Sequence, residues 1–155
     1  MKHLVDFQDE WDFARNYLDT QQLRFGDRLR IDLRMSGSPQ GHCIPPLTLQ
    51  PVLENAIEHG LMSRPGGGRL LVRVRFHLGP DGGPRWWMVV RDSGVAPDQK
   101  TYAGETLGNI RLRLERLLRG GGFWVRPASG GGTVAVFTGG PPLEAGPDLI
   151  RDCLS

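Results

Sequence analysis

An asparagine and a histidine lie four residues apart in the run from Leu49 to Leu61. The apolar residues of this run recur at helical spacing and predict one core-facing stripe: Leu49, Val52, Leu53, Ala56, Ile57, Gly60 and Leu61. Asn55 and His59 then share another face, beside a polar row of Glu54 and Glu58. The amide oxygen of Asn55 is a ligand that Mg²⁺ accepts, because this ion keeps several waters and takes few protein oxygens. By residue type alone, a hydrogen-bonded or solvated helix position is the preferred explanation of Asn55.

Motifs on both sides of this run give the asparagine a context. LQPVLENAIEHG (49–60) closely resembles the N box of the LytS-like sensor histidine kinases, usually worded LQPLVENAIKHG. Upstream, LRFGDRL (23–29) resembles the most specific part of the helical segment that leads into that domain. Downstream, VVRDSGVAP (89–97) resembles the first glycine box, GETLGNIRLRLERL (104–117) the second, and GGTVAVF (131–137) the closing strand. These motifs follow the family's order and span about residues 5 to 138.

The resemblance implies an ATP site with magnesium. Asn55 would bind the Mg²⁺ that bridges the nucleotide phosphates, with His59 in the same site. Asp92 would recognise adenine, because a carboxylate only accepts hydrogen bonds and therefore suits the exocyclic amine of adenine better than the carbonyl of guanine. Gly94 would let the backbone approach the base, and the Thr133 hydroxyl would support the pocket, directly or through water. Without the resemblance, Asp92 is explained as a turn-forming carboxylate.

The second glycine box should contact the phosphates, because a helix beginning near Leu107 offers free N–H groups to an anion. The residues expected there are Gly104, Leu107, Gly108 and Asn109. The chain departs from the family at three positions: Thr106 replaces a glycine, Gly108 the usual basic residue, and Ala96 the last glycine of the first box. We therefore expect weaker contacts from the lid over the phosphates, which the aperiodic stretch 93–106 would form.

The general base is harder to assign. Related kinases carry an acidic residue one turn before the metal-binding asparagine, where this chain has Pro51. Glu54 is the nearest alternative carboxylate and is the candidate base, although one residue along a helix rotates a side chain by about 100°.

The resemblance implies the ATP-binding catalytic domain of a two-component sensor histidine kinase. That enzyme would transfer the γ-phosphate of Mg-ATP to a histidine on a dimerisation helix, with a response regulator downstream. The proline-histidine-phenylalanine context of the acceptor is absent around His3, His42, His59 and His77, so the acceptor is expected on a helix outside this chain. The alternative is a degenerate nucleotide-binding module that regulates a partner without phosphotransfer. The altered glycine boxes favour the alternative, whereas Asn55 and Asp92 favour the kinase.

Composition and charge bound the remaining possibilities. The chain has 155 residues, enough for one domain, and its formal net charge of +2 gives no reason to expect nucleic-acid binding. No apolar run reaches membrane-spanning length, so we expect no direct membrane contact by this domain. Cys43 and Cys153 have no metal-ligand spacing and are expected to be isolated thiols of a cytoplasmic domain, whose parent protein can still be anchored in the inner membrane.

The elements that must position these residues alternate between helices and strands. Asp6 can cap a helix that runs to about residue 23, and Thr48 can cap the asparagine helix. Strands are predicted at 28–35, 69–78, 86–90, 123–126 and 133–138, and a third helix between Leu107 and Leu118. This order suits a two-layer α/β (α+β) sandwich, a mixed and mostly antiparallel sheet with helices on one face.

The resemblance implies that this sandwich is the Bergerat ATP-binding fold. We expect a helical lead-in at 1–27, the ATPase domain at 28–138, and a tail at 139–155 that is either disordered or forms a short helix.

Overall fold

One five-stranded mixed sheet forms the base of the molecule. A computed structural model describes residues 3–61, 65–94 and 105–143. The sheet strands are β2 (Leu29–Ser36), β4 (Gly68–Leu78), β5 (Pro84–Asp92), β6 (Gly122–Pro127) and β7 (Thr133–Gly139). Their order is β2-β4-β5-β7-β6, with β2 and β4 parallel and the other neighbours antiparallel. The predicted two-layer α+β sandwich with a mostly antiparallel sheet is confirmed, and β5 is central as expected.

A short antiparallel ribbon lies outside this sheet. It pairs β1 (Val5–Asp6) with β3 (Cys43–Ile44) and was not expected, because strands of two residues show no measurable alternation. Cys43 is buried and disulfide-bonded in the structure, so the expectation of an isolated thiol is wrong for this residue. Cys153 lies outside the described residues. Cysteine usage therefore gives no support to the expected cytoplasmic location.

The first helix, α1, is Phe7–Phe25. Asp6 caps it as predicted, since its side chain accepts the Gln8 N–H at 3.4 Å. The helix runs two residues beyond the predicted end and stops where Gly26 adopts φ +55, a conformation that favours glycine. A 3₁₀ turn (Gly26–Arg28) leads into β2. The buried residues Phe7, Trp11, Ala14 and Leu18 form the apolar stripe of this helix, and Glu10 is buried among them.

The asparagine helix has two parts. The α-helical part, α2, is Gln50–Asn55, and a π-helical turn, Ala56–Leu61, continues it. Pro51 lies in the first turn as expected, but the predicted cap is wrong. Leu49 holds the cap position, and the Thr48 hydroxyl instead donates to the Pro45 carbonyl at 2.6 Å. A hydroxyl occupied by that carbonyl leaves the first N–H groups of the helix to another acceptor.

Helices cover one face of the sheet. The helix-facing residues of the central strands are buried: Leu70, Val72, Val74, Trp86, Met88, Val90, Ala135 and Phe137. Phe7 of α1 packs edge-on against Phe76 and Trp86, with ring centroids 4.9 and 5.1 Å apart. The opposite face of β2 is exposed at Arg30, Asp32 and Arg34, as its alternation predicts. A ligand held by both layers must therefore lie between the sheet and the helices.

The third helix, α3, is Glu105–Leu117, and the chain returns beside it after β7. Arg119 N–H donates to the Pro141 carbonyl at 2.9 Å and Leu143 N–H to the Leu117 carbonyl at 3.0 Å. These bonds tie the first residues after β7, up to Leu143, to the end of α3. Residues 144–155 of the predicted tail lie outside the described residues. Within the described ranges, no helix combines the length and hydropathy that a membrane crossing needs.

Candidate functional site

Asn55 lies where the asparagine helix changes from α to π geometry. Its side chain is half-buried, and within the described part of the chain its Nδ2 atom is buried without a hydrogen-bond partner. Buried amide groups are nearly always hydrogen-bonded, so the unpartnered NH₂ group of Asn55 is a candidate donor to a ligand oxygen. π turns are rare and often occur at functional sites. The next turn, which carries the exposed His59, packs against β4 and β5.

Magnesium fits this arrangement only if the oxygens of a bound nucleotide complete its coordination. Residues 3–61, 65–94 and 105–143 contain no group of three or more His, Cys, Asp or Glu side chains that could hold a metal ion. Asn55 supplies a single amide, and Mg²⁺ commonly takes one or two protein ligands together with waters and substrate phosphates. The donor set therefore suits a metal that arrives with phosphates.

Asp92 and Thr133 lie side by side on the helix-covered face of the sheet. They are direct partners in the β5–β7 register, and Leu70 completes the row on β4. Both polar side chains are 3% exposed. The Asp92 carboxylate accepts the N–H of the buried Gly94 at 2.9 Å, so it also forms the turn expected from residue type. The arrangement places an acceptor and a hydroxyl next to each other under the helix layer.

Close backbone approaches fix this end of β5, and sequence reasoning missed the residues that permit them. Gly132 has φ +87, and a Cβ there would lie 1.9 Å from the Asp92 carbonyl oxygen. A Cβ at Gly68 would lie 2.5 Å from Ser93 Oγ and 2.6 Å from Leu61 Cδ2. Ser93 Oγ also accepts the Arg69 N–H at 2.9 Å. In the sequence, the available signal was a glycine at or just before the start of a strand. That signal does not reveal which atoms approach the glycine closely.

The second glycine box is only partly described. Gly104 and most of the predicted lid (95–104) lie outside the described residues. Leu107 is buried, whereas Gly108 and Asn109 are exposed. Asn109 lines a cleft of about 560 Å³ together with Pro51, one helical turn before Asn55, and with Arg113 and Arg116 of α3. The structure thus brings Asn109 next to the asparagine helix.

Glu54, the candidate base, faces α1. It accepts a hydrogen bond from Gln50 Nε2 at 3.1 Å. Tyr17 of α1 is close enough that burial first, and then the negative charges of Glu54 and Glu58, raise its pKa to about 12. The Glu54 side chain thus has neighbours on the α1 side of the helix, and its role as a base remains a prediction.

Glu10 is the polar residue of the helix layer that sequence reasoning missed. It is 5% exposed, and its carboxylate accepts the backbone N–H groups of Leu47, Thr48 and Leu49 at 3.1, 3.0 and 3.1 Å. This carboxylate of α1 occupies the capping role that we predicted for Thr48. A charged residue within the apolar stripe of a helix was the signal that could have identified it.

The comparisons with known proteins concern both sequence and fold. No family model matches the chain. The sensor histidine kinase YpdA of Escherichia coli K12 is 30% identical over 143 residues, 86% of this chain and 24% of YpdA. The sensor histidine kinase/phosphatase LytS of Staphylococcus aureus MRSA252 is 26% identical over 129 residues, 75% of this chain and 21% of LytS. The chain thus spans about a quarter or less of these relatives.

The solved structures that resemble this chain concern its fold. The nucleotide-free catalytic domain of histidine kinase ThkA aligns with a TM-score of 0.64 at 11% identity, over 88% of this chain and 95% of that domain. The mycobacterial sensor histidine kinase MprB aligns with a TM-score of 0.56 at 17% identity, over 92% of this chain and all of that one. The fold is that of a histidine kinase catalytic domain. The sequence relatives place the chain among the LytS-like sensor histidine kinases.

The raised pKa of Tyr17 predicts a loss of stability in alkali. The unfolded chain releases the phenol proton near the ordinary value of 10.0, whereas the folded chain keeps it to about 12. The free energy of unfolding should therefore fall as pH rises between these two values. Urea unfolding of the wild type and of Tyr17→Phe, measured across that range, checks this. Equal slopes with pH in the two proteins would contradict it.

The open surroundings of Gly108 predict that a basic side chain can be restored. A Cβ at Gly108 would meet no atom within 4 Å, so a lysine fits. If this position faces the phosphates, Gly108→Lys should tighten ATP binding about threefold to tenfold, and salt should weaken the gain. Gly108→Ala is the matched control, because it shares the higher helix propensity without the charge. Calorimetric titration measures the ATP affinity of the two variants. Equal affinities would show that position 108 does not contact the phosphates.

Proposed function

We propose that this chain binds Mg-ATP as the catalytic domain of a two-component sensor histidine kinase. The observation that carries the proposal is the pairing of Asp92 with Thr133 on the sheet, under a helix layer in which the Asn55 NH₂ group has no partner among the described residues. In the proposed complex, Asp92 accepts a hydrogen bond from the adenine amine and Thr133 supports it. Gly94 lets the base approach the backbone. Asn55 holds the magnesium, with His59 beside it.

The phosphates extend from this pocket towards α3. The first N–H groups of α3, beginning at Glu105, are suited to an anion, and Gly104, Leu107, Gly108 and Asn109 complete the proposed contacts. Asn55 would hold the magnesium, which when bound would supply positive charge to offset the charge of the γ-phosphate. The chain's own residues orient the nucleotide, and Glu54 is the proposed general base.

The proposed function also implies the partners of the reaction. The phosphate acceptor is a histidine on a dimerisation helix of the same kinase, and a response regulator receives the phosphate next. One structural neighbour, ThkA in complex with the response regulator TrrA, has a TM-score of 0.56 at 14% identity, which shows the fold shared with a kinase of that kind. The proposed location of the domain is the cytoplasm, and its parent protein can still be anchored in the inner membrane.

Two substitutions test the site. Asp92→Asn should weaken ATP binding at least about tenfold, because the amide can direct its NH₂ group at the adenine amine and a hydrogen bond to a charged group contributes about 1.5–3 kcal/mol. Asn55→Ala should remove the dependence of ATP binding on magnesium. Calorimetry with Mg-ATP, Mg-GTP and ATP plus chelator measures these effects. Unchanged ATP binding in both variants, or equal affinity of the wild type for Mg-GTP, would refute the site.

Phosphotransfer separates the kinase from a regulatory module without catalysis. YpdA and LytS are both named sensor histidine kinases. Similarity to them does not favour the regulatory module. With radiolabelled ATP, the wild-type chain should place acid-labile, base-stable phosphate on an added dimerisation-helix fragment of its parent kinase, and Asn55→Ala should not. ATP binding by the wild type without any transfer would support the regulatory module instead.

A further inference from the structure

The loop Pro45–Leu49, which joins β3 to α2, has a conformation that it cannot hold by itself. Leu47 has φ +58 and is the one non-glycine residue with positive φ in the described part of the chain. A leucine in this region costs of order 1 kcal/mol or more, and the strain persists only where the surroundings impose it. The Leu47 side chain is 54% exposed, so its own burial does not supply the constraint.

Glu10 holds this loop from the α1 side. Oε2 accepts the Leu47 N–H, and Oε1 accepts both the Thr48 and the Leu49 N–H. Both carboxylate oxygens are therefore used, and they satisfy three consecutive backbone donors. Leu49 gives α2 no side-chain cap of its own, so the α1 carboxylate fixes where α2 begins.

Arg113 holds the same loop from the α3 side. Its guanidinium donates to the Pro46 carbonyl, the residue next to those bound by Glu10. Burial lowers the pKa of Arg113 and the negative charge of Glu10 opposes this effect, so the two side chains interact electrostatically across the loop. Arg113 also lines the cleft that contains Pro51 and Asn109.

We propose that Glu10 and Arg113 are positioning residues that clamp the Pro45–Leu49 loop and thereby set the place of Asn55 in the metal–nucleotide site. Asn55 is the last residue of the six-residue α2, so a displaced helix start moves the amide with it. Misplacing a group by about 1 Å can slow a catalysed reaction about a hundredfold. Because Arg113 belongs to α3, the clamp also couples α1 to α3. This proposal rests on the proposed function for its ligand.

Hydrogen exchange tests the clamp without any nucleotide. Glu10→Gln keeps the shape of the side chain but leaves one oxygen acceptor for three amides. Exchange at Leu47, Thr48 and Leu49 should rise at least about tenfold, while the amides of the central strands β4 and β5 stay protected. Asp9→Asn is the matched control, because it removes a neighbouring but exposed charge from the same helix. Unchanged exchange at the three amides of Glu10→Gln would overturn the proposal.

Ligand titration then distinguishes positioning from a general structural role. Glu10→Gln and Arg113→Gln should each weaken Mg-ATP about tenfold, whereas adenosine, which makes neither metal nor phosphate contacts, should bind as it does to the wild type. Arg113→Lys should recover part of the loss, since an ammonium group still donates to a carbonyl. An equal loss for adenosine and Mg-ATP, or no loss for either, would contradict positioning.

A double-mutant cycle tests whether the two residues act through one loop. Because each variant releases the same segment, Glu10→Gln combined with Arg113→Gln should lose little more Mg-ATP affinity than the weaker-binding single variant. Fully additive losses would refute the shared clamp. If Glu10→Gln does not fold, Arg113→Gln carries the exchange and titration tests alone. If the wild type binds no ATP, the proposed function fails, while the exchange experiment still decides whether the clamp exists.

Discussion

A carboxylate buried inside the helix layer is the interaction on which the arrangement of this domain depends. Burying a charge costs free energy unless it is paired or hydrogen-bonded, and Glu10 meets that requirement with three backbone N–H groups from another part of the chain. The same bonds satisfy the N–H of Leu49, the cap residue of α2, and those of the two residues before it. Glu10 thus receives the hydrogen bonds that its buried charge requires, and the loop before α2 receives an acceptor for its N–H groups. The consequence is a fixed relation between α1 and the helix that ends at Asn55.

The sheet provides the matching fixed surface. Asp92 and Thr133 are positioned by the antiparallel register of two neighbouring strands, and the close approach at Gly132 keeps these strands together where the side chains face the helices. Backbone hydrogen bonds set this register, and a slip of one residue in either strand would turn that strand's polar side chain to the exposed face. The two halves of the candidate site are therefore held by different means, the sheet by its ladder and the helix layer by long-range side-chain bonds.

This difference explains what could be predicted from the sequence. Alternation located the main strands, because one face of the sheet is buried and the period of two is preserved along β2 and β4. The cap of α2 was predicted wrongly, because a local rule assigned it to Thr48, whereas Leu49 holds the cap position and the carboxylate that accepts its N–H lies 39 residues earlier in the chain. The π turn after Asn55 was not foreseen either, since the apolar spacing of Ala56, Ile57 and Leu61 suits an α-helix equally well. Local patterns predict elements, and interactions between distant residues decide how those elements end and meet.

The composition of the site constrains how a metal could bind. Pro51 occupies the position one turn before Asn55 where a carboxylate would be the natural second ligand, and Gln50 holds the Glu54 carboxylate. A single neutral amide binds Mg²⁺ weakly, because removing water from the hydration shell of this ion costs free energy. Phosphate oxygens must then supply the negative charge, so in the proposed site metal and nucleotide bind as one unit. The precise position of Asn55 therefore matters more in the proposed site than in one with several acidic ligands, because the described residues contain no group of three or more His, Cys, Asp or Glu side chains that could hold the metal without it.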